Sequence, residues 1–410
     1  MNLSIYKRII YAILFLWILL CNIFDNFIPG VNYWDECITI MALIYILFNF
    51  NSKNKICNEI IILLFIMVVI GIVGNITFTF QNNKIAILKD IIAFIKFPII
   101  AVACIIRKNN TYTIDDLSLK DAFNISKIYV IVVSFFGVVS LFKNIGMSWD
   151  YRAGILSYKF LYTHPTFLAY ALVITSVVLV AYPKQGIDKN ILIILNLFSL
   201  FMTMRNKAFT YIVFFIVVVY LIPHISFNKI KIRYFLLPLA LAIVISKDKI
   251  INYLNFSWSP REALYTCGYQ LMKQCFPIGS GFGSFASSVS GEYYSNAYYT
   301  FGLNLKPGMS PSDFIDLGDA GIPYYYACFG LLGVLVFVLI LYLIFKKAIF
   351  YYSYDVHKYQ AAILLMIYIV TSLPFEATLT NESGASVGII MFLFIGNSFR
   401  QFKMCGNKLN

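Results

Sequence analysis

Long apolar runs are the feature that most constrains this sequence. The first extends from Ile9 to Phe24 behind Lys7 and Arg8, and similar runs recur along most of the 410 residues. A helix needs roughly 20 apolar residues to cross the ~30 Å hydrocarbon core of a bilayer. Hydrophobic residues make up 60% of the chain and charged residues only 12%, which is too apolar for a soluble domain. We therefore predict an all-α integral membrane protein.

The runs predict about twelve transmembrane helices. They lie at residues 9–24, 36–50, 59–80, 90–106, 128–142, 165–182, 191–204, 208–223, 234–246, 325–345, 360–372 and 385–398. No small-residue cleavage site follows the first run before Asn26, so we interpret it as a retained helix rather than a removed signal peptide. The spans divide the chain into a membrane domain at 1–246 with about nine helices, a long outside loop at 247–324 containing short helices, and a membrane part at 325–410 with about three helices.

The distribution of basic residues predicts the orientation of these spans. With the N-terminus inside, most of the 32 Lys and Arg residues fall in inside segments, as the positive-inside rule requires of short cytoplasmic loops. Both termini are then cytoplasmic, and the loop at 247–324 faces outside. Lys96 is the main charge within a predicted span. The net charge of +13 follows largely from this topology and from anionic membrane lipids, so we expect no nucleic-acid partner.

Aromatic residues interleaved with Ser and Gly fill the outside loop. Aromatic faces suit sugar rings, although an aromatic belt at the headgroup layer would have the same composition. The loop opens with Ser259-Pro260, an N-cap and first residue typical of a helix start, and Glu262 would complete a capping box. Leu264 and Leu271 then lie on one apolar face of the predicted helix.

Three predicted outside segments present arginine, whose planar guanidinium suits bidentate phosphate binding. Arg152 precedes one span, and Arg205 and Lys207 form a tight turn between two others. Arg261 lies at a predicted helix N-terminus, where a cation opposes the helix dipole unless an anion is near. Pairing of Arg261 with Glu262 or with a lipid phosphate is the alternative. Together the three arginines predict an anion site on the outer face.

Acidic residues recur at steps of three in the segment SPSDFIDLGD. Asp313, Asp316 and Asp319 would share one face of a helical turn just before Gly321. Such a cluster offers a general base for a hydroxyl group, but it would also serve to cap a helix or to pair with the basic segments. His164 is the histidine on the predicted outer face that could join this chemistry.

Residues 276–285, FPIGSGFGSF, carry Gly279, Gly281 and Gly283 in alternation. A nucleotide cradle needs a strand-to-helix turn in a soluble α/β unit, and this run lies instead outside a predicted membrane domain. We interpret it as a tight turn whose amides either contact a phosphate or sugar or only shape the chain. No Cys or His spacing typical of a metal site occurs, and we expect no cofactor.

The order of these motifs resembles that of the bacterial O-antigen polymerases. Arg152 precedes YTHPTFLAY, a second Arg turn lies in MRNKAF, and the long loop opens with Ser-Pro-Arg, continues to PIGSGFGSF and leads to GLLG in the next span. The resemblance covers about residues 150–345. These polymerases belong, with the O-antigen ligases, to one superfamily of polytopic membrane glycosyltransferases.

The resemblance implies a metal-independent glycosyltransferase of the bacterial inner membrane. Its partners would be oligosaccharide repeat units linked to undecaprenyl pyrophosphate, besides membrane lipids and a chain-length regulator. The growing glycan would move from its lipid carrier to the non-reducing end of a new repeat unit, with arginines stabilising the departing pyrophosphate. The residues expected in the site are Asp313, Arg261, Asp316 and His164 for catalysis, with Asp313 first as base, and Arg152, Arg205, Lys207, Gly281 and Gly283 for binding pyrophosphate or sugar.

Two alternatives remain beside a polymerase. A ligase of the same superfamily commonly has a His-Asn pair before the GLLG-like segment, where this chain has Pro311-Ser312-Asp313. A flippase or other transporter of lipid-linked oligosaccharides belongs to a different class and usually places ionisable residues in several spans. The spans here are nearly free of charge apart from Lys96, which favours the enzyme.

Overall fold

The computed structural model describes residues 3–25, 27–28, 30–50, 54–110, 116–152, 154–183, 186–221, 259–353 and 355–395. Within these residues the chain is mostly helical. The predicted span at 234–246 lies outside them. Each of the other predicted spans coincides, over its described residues, with a helix of the structure, so the apolar runs correctly predicted where helices form.

The helices are α1 (Leu3–Phe24), α2 (Trp34–Asn49), α3 (Lys55–Phe78), α4 (Lys84–Asn110), α5 (Asp116–Phe142), α6 (Pro165–Ala181), α7 (Ile187–Met202), α8 (Asn206–Ile216), α9 (Pro260–Gln274), α10 (Ser288–Glu292), α11 (Asn296–Thr300), α12 (Gly321–Tyr352), α13 (Val356–Ser372) and α14 (Glu382–Ile389). Helices α8 and α14 continue as π-helical turns at Val217–Leu221 and Ile390–Phe394. Short 3₁₀ turns lie at Val31–Tyr33, Leu303–Leu305 and Ile315–Gly318.

Several helices have the length and composition of membrane spans. Among the described residues, four are long and apolar enough: Ile5–Phe24, Lys55–Phe78, Ser118–Phe142 and Gly321–Tyr352. Pro165–Ala181, Asn206–Tyr220 and Glu382–Phe394 are apolar but shorter. Large apolar side chains on the outer faces of these helices are exposed, among them Phe65 and Ile76, as expected for surfaces that meet lipid rather than water.

Packing places α6 at the centre of the bundle, where nearly all its residues are buried between α5, α7 and α13. Helix α3 lies along α12, and α2 lies along α4. Helix α9 begins as predicted, because the Ser259 side chain accepts the Glu262 N–H at 3.2 Å. Its apolar face, with Leu264 and Leu271 fully buried, packs against α12.

The glycine-rich segment breaks α12. Gly330, at φ 61°, lies within α12 in a non-helical conformation. Beside it, the N–H groups of Ser280 and Gly281 donate to the carbonyl oxygens of Ala327 and Cys328, both at 2.9 Å. A continuous helix would use these two carbonyls for its own next turn. The loop therefore satisfies the backbone groups that the break exposes.

Helices α3 and α4 hold the same segment from the other side. The N–H of Phe282 donates to Asn75 Oδ1 at 2.8 Å, and the N–H of Gly283 donates to Asp90 Oδ2 at 2.7 Å. A Cβ on Gly281 would lie 2.4 Å from the Asn75 backbone nitrogen. Only glycine fits this close approach at a positive φ of 90°.

A small hairpin departs from the expected all-helical architecture. Strand β1 (Ser148–Arg152) pairs antiparallel with β2 (Ile155–Tyr158), with Arg152 opposite Ile155. Gly154 supplies a positive φ of 79° in the turn. A bulge lies between Ser148 and Tyr151. Because alternate residues of a strand share a face, Asp150 and Arg152 project together.

Lys96 lies in an apolar helix, where its side chain is buried and ion-paired. Its ammonium forms ion pairs with Asp35, and with Glu36 at 3.0 Å, across the α2–α4 interface. The side chains of Lys96 and Asp35 are each only 2% exposed. The pair thus ties α2 to its main neighbour, and neither charge could remain there alone without a large desolvation cost.

Replacing Lys96 by Met should destabilise the protein strongly, by about 3–5 kcal/mol, because the buried carboxylate of Asp35 and the partly buried one of Glu36 would lose their counterion. Lys89→Met is the matched control on the same helix, since Lys89 pairs with Glu292 near the surface, where the side chains are 34% and 49% exposed. That change should cost less than about 1 kcal/mol. Thermal unfolding in detergent compares the two, and equal shifts of the midpoint would refute the distinction.

Candidate functional site

Basic side chains from four separate segments meet at one end of the bundle. Arg152 comes from β1, Arg205 and Lys207 from the α7–α8 turn, Arg261 from the first turn of α9, and His164 from the residue before α6. Electrostatic interactions connect Arg205 to Arg152 and Arg261, and His164 to Arg205 and Lys207. We call these five residues the basic cluster. The structure thus brings together the arginines that the sequence placed in distant segments.

Asp150 joins two of the arginines. Its Oδ2 accepts a hydrogen bond from Arg152 Nε at 2.7 Å, and its Oδ1 accepts one from Arg205 Nη2 at 3.2 Å. Burial acts to raise the pKa of Asp150, but the Ser157 hydroxyl and the two guanidinium groups outweigh burial and lower it. The carboxylate is therefore ionised at neutral pH and fixes both arginines.

Arg205 is the least satisfied member of the basic cluster. The residue is 8% exposed, yet its Nε is buried and has no hydrogen-bond partner among the described residues. Burial and the charge of Arg152 lower the pKa of Arg205 to about 10, so it remains charged at neutral pH. A buried, charged donor without an acceptor is costly. Its position suits an acceptor brought by a ligand.

Two further ion pairs complete the site. Lys207 Nζ contacts Glu376 Oε1, and Arg261 donates from Nε to the Asp319 carbonyl and from Nη2 to Asp319 Oδ2, both at 3.1 Å. Arg261 therefore pairs with Asp319 rather than with Glu262. Burial raises the pKa of Asp319, and the Arg261 charge opposes that effect. Glu376 also interacts electrostatically with Asp319, so the two pairs adjoin.

His164 caps α6 and is neutral. Its Nδ1 accepts the Thr166 N–H at 3.2 Å, which assigns the ring proton to Nε2. Burial, and then the charges of Arg205 and Lys207, lower the pKa of His164 to about 4. The Trp149 ring lies edge-on at a centroid distance of 5.5 Å. This arrangement suits a hydrogen-bond donor better than the general base that the sequence suggested.

The acidic segment is only partly helical. Asp313 lies in an exposed turn, where its N–H donates to Ser310 Oγ at 3.1 Å, and the 3₁₀ turn is confined to Ile315–Gly318. The predicted common helical face of the three aspartates was therefore wrong. Burial and the charge of Asp313 raise the pKa of Asp316, while Arg261 lowers it. Asp316 thus borders the basic cluster, whereas no hydrogen bond connects Asp313 to it within the described part of the chain.

Gly281 and Gly283 lie in the interior and not in the basic cluster. Both are buried, and their amides already donate to Cys328 and Asp90. The structure therefore favours the turn-shaping role of FPIGSGFGSF over a direct ligand contact. The aromatic residues of the loop also divide, because Phe282 and Phe285 are fully buried while Tyr299 is 53% exposed.

Sequence reasoning missed three carboxylates of the site. Asp150 lies two residues before Arg152, a spacing that joins side chains only on a strand, and the strand was not predicted. Asp319 was noticed as part of the acidic segment but not as the partner of Arg261. Glu376 lies in PFEAT between two predicted spans on the side expected to face outward. A charged residue in such a short outer loop is the sequence signal by which Glu376 could have been predicted as a site residue.

Within the described residues, no group of three or more His, Cys, Asp or Glu side chains is placed to hold a metal ion. Comparison of the chain with protein-family models, with curated proteins and with solved structures found no match.

Replacing His164 by Asn should remove a pH-dependent loss of stability. The pKa of His164 falls from 6.5 to about 4 on folding, so protonation favours the unfolded chain. The stabilising contribution of neutral His164 to the free energy of unfolding is fully present above about pH 6.5 and is lost as the pH falls toward about 4. Asn caps helices well and does not titrate.

The thermal midpoint measured at neutral pH and again at about pH 4.5 checks this effect. The wild-type midpoint should drop more than that of H164N over this range. Comparing the two variants cancels the contributions of the other titrating groups. An identical drop of the midpoint in both proteins would show that folding does not lower the pKa of His164.

Proposed function

We propose that the protein is a membrane glycosyltransferase that polymerises a surface polysaccharide. Its donor would be a glycan carried on undecaprenyl pyrophosphate, and its acceptor the non-reducing end of a new lipid-linked repeat unit. The reaction would take place at the outer face of the bacterial inner membrane, about twelve spans holding both termini in the cytoplasm.

The buried, unpaired Nε of Arg205 carries this proposal. Four cations, Arg152, Arg205, Lys207 and Arg261, meet in one site with three closely paired carboxylates. The buried donor of Arg205 thus remains for a ligand. Planar guanidinium groups match the oxygens of phosphate, and several of them together suit a pyrophosphate.

The charges of the site fit glycosyl transfer. Cleavage of the anomeric C–O bond places negative charge on the departing pyrophosphate, where Arg152, Arg205 and Arg261 would stabilise it. Fixed cations act most strongly in a partly buried site, since water does not screen them there. His164 Nε2 would donate to a substrate oxygen.

A transporter of lipid-linked oligosaccharides is the second candidate, and the buried Lys96–Asp35 pair favours it. Ionisable groups within membrane helices often mark transport pathways. The Lys96 charge is matched by two carboxylates, and Glu36 Oε2 is, like Arg205 Nε, buried without a partner among the described residues. What favours the enzyme is that several cations from separate segments meet at Arg205, whereas Lys96 is a single cation. A ligase of the same superfamily would share the anion site and is separated from the polymerase by the experiment below.

Deletion of the gene should leave lipid A–core carrying a single repeat unit. The first unit can still be made, exported and attached, while no second unit is added. Loss of a flippase or of a ligase would instead leave bare core. Separation of the surface glycan on a gel distinguishes these outcomes, and a bare-core pattern in the deletion strain would exclude the polymerase.

Arg205→Lys should reduce polymerisation by about a hundredfold, because lysine keeps the charge but loses the planar fork that places a donor on the phosphate. Conversion of lipid-linked repeat units to long chains in isolated membranes measures the effect. Lys143→Ala removes an exposed cation that follows α5, outside the basic cluster, and should leave chain formation unchanged. Normal chain lengths with R205K would remove Arg205 from the site.

A further inference from the structure

We propose that Glu376 is the general base that takes the proton of the acceptor hydroxyl. This inference rests on the proposed glycosyl transfer and names a residue for a step that Asp313, Asp316 and His164 were expected to perform.

The backbone of Glu376 is fixed at the edge of the site. It lies in the connection between α13 and α14, where its N–H donates to the Ser372 carbonyl oxygen at 3.0 Å. Its own carbonyl oxygen packs on Gly321, the first residue of α12, where an added Cβ would lie 2.5 Å away. A base must be held at a defined place relative to its substrate, and this connection meets that condition.

The carboxylate of Glu376 lies among the cations yet remains accessible. Lys207 holds its Oε1, and its charge also acts on Arg205 and Asp319. The side chain is 26% exposed. Its Oε2 accepts no hydrogen bond from any residue that the structure describes, so this oxygen is open to a substrate hydroxyl.

The other acids and the histidine are less suited to take a proton. Both oxygens of Asp150 accept hydrogen bonds, from Ser157, Arg152 and Arg205. Asp319 binds Arg261 through its carbonyl and its carboxylate, so it acts as a positioning residue for that arginine.

His164 already accepts through Nδ1, and Asp313 lies in an exposed turn. Asp316 borders the cations only through its electrostatic interaction with Arg261. Glu376 therefore combines a central position among the cations with an oxygen unoccupied among the described residues, whereas Asp319 is held to Arg261 through its backbone carbonyl as well as its carboxylate.

In the proposed step one bond forms, one bond breaks and one proton moves to Glu376. The acceptor oxygen forms a bond to the anomeric carbon of the donor, and its proton passes to Glu376 Oε2. The anomeric bond to the pyrophosphate breaks, and its electron pair stays on the phosphate oxygen beside the arginines. Glu376 later returns the proton to water. Lys207 keeps the carboxylate oriented, and direct displacement would invert the anomeric configuration.

Glu376→Gln tests the assignment, because Gln keeps the size and a carbonyl oxygen for Lys207 but takes up no proton at neutral pH. The substrate is the lipid-linked repeat unit that accumulates in the deletion strain, supplied to purified protein in detergent. Transfer should fall by about 10²–10⁴-fold. Binding of the same lipid-linked unit should match wild type, and the thermal midpoint should fall because Lys207 loses its counterion. Glu376→Asp should restore part of the transfer.

Asp319→Asn is the matched control, since it removes a neighbouring carboxylate that positions Arg261. It should weaken binding of the lipid-linked unit more than it slows transfer from bound substrate. The proposal for Glu376 fails if E376Q transfers within about threefold of wild type, or if it loses binding together with transfer. Wild-type protein that elongates no lipid-linked unit would instead overturn the proposed function, and the base with it.

Discussion

A charge in this bundle must meet a partner, and that requirement determines how its segments come together. Lys96 binds carboxylates of another helix, and Arg205 reaches a carboxylate on a hairpin 55 residues away in sequence. In an apolar interior the attraction between opposite charges is little screened, while an isolated charge would be very costly. The ion pairs therefore select which connections meet at the end of the bundle. The same pairs give the basic cluster its shape.

The glycine-rich segment connects the packed core to the site. It follows α9, which carries Arg261, and it is held by α3, α4 and the broken turn of α12. Because α12 starts just after Asp319, fixing the segment also sets where Arg261 and Asp319 meet. The interior hydrogen bonds of Gly281 and Gly283 thus contribute to the site indirectly, through the backbone that they hold in place.

The sequence predicted the parts of this protein that depend on local pattern. Apolar runs gave the positions of the helices, Ser259-Pro260 gave the start of α9, and arginines in separate segments indicated a common site. The contact between Lys207 and Glu376 was not predictable, because it depends on how α8 packs beside the connection after α13. The burial of Gly281 was not predictable for the same reason, because a glycine-rich sequence is the same in a solvent-exposed loop and in a packed core.

The break in α12 also bears on the order in which the chain is assembled. The groups that hold the glycine-rich segment from one side, Asn75 and Asp90, are synthesised well before it, and α12 is synthesised after it. A chain that folds from its N-terminus during synthesis can dock the segment on finished helices first. Its amides are then in place to donate to the carbonyl oxygens of Ala327 and Cys328 as α12 forms. The break in α12 would then form together with the helix, and no completed helix would have to be bent.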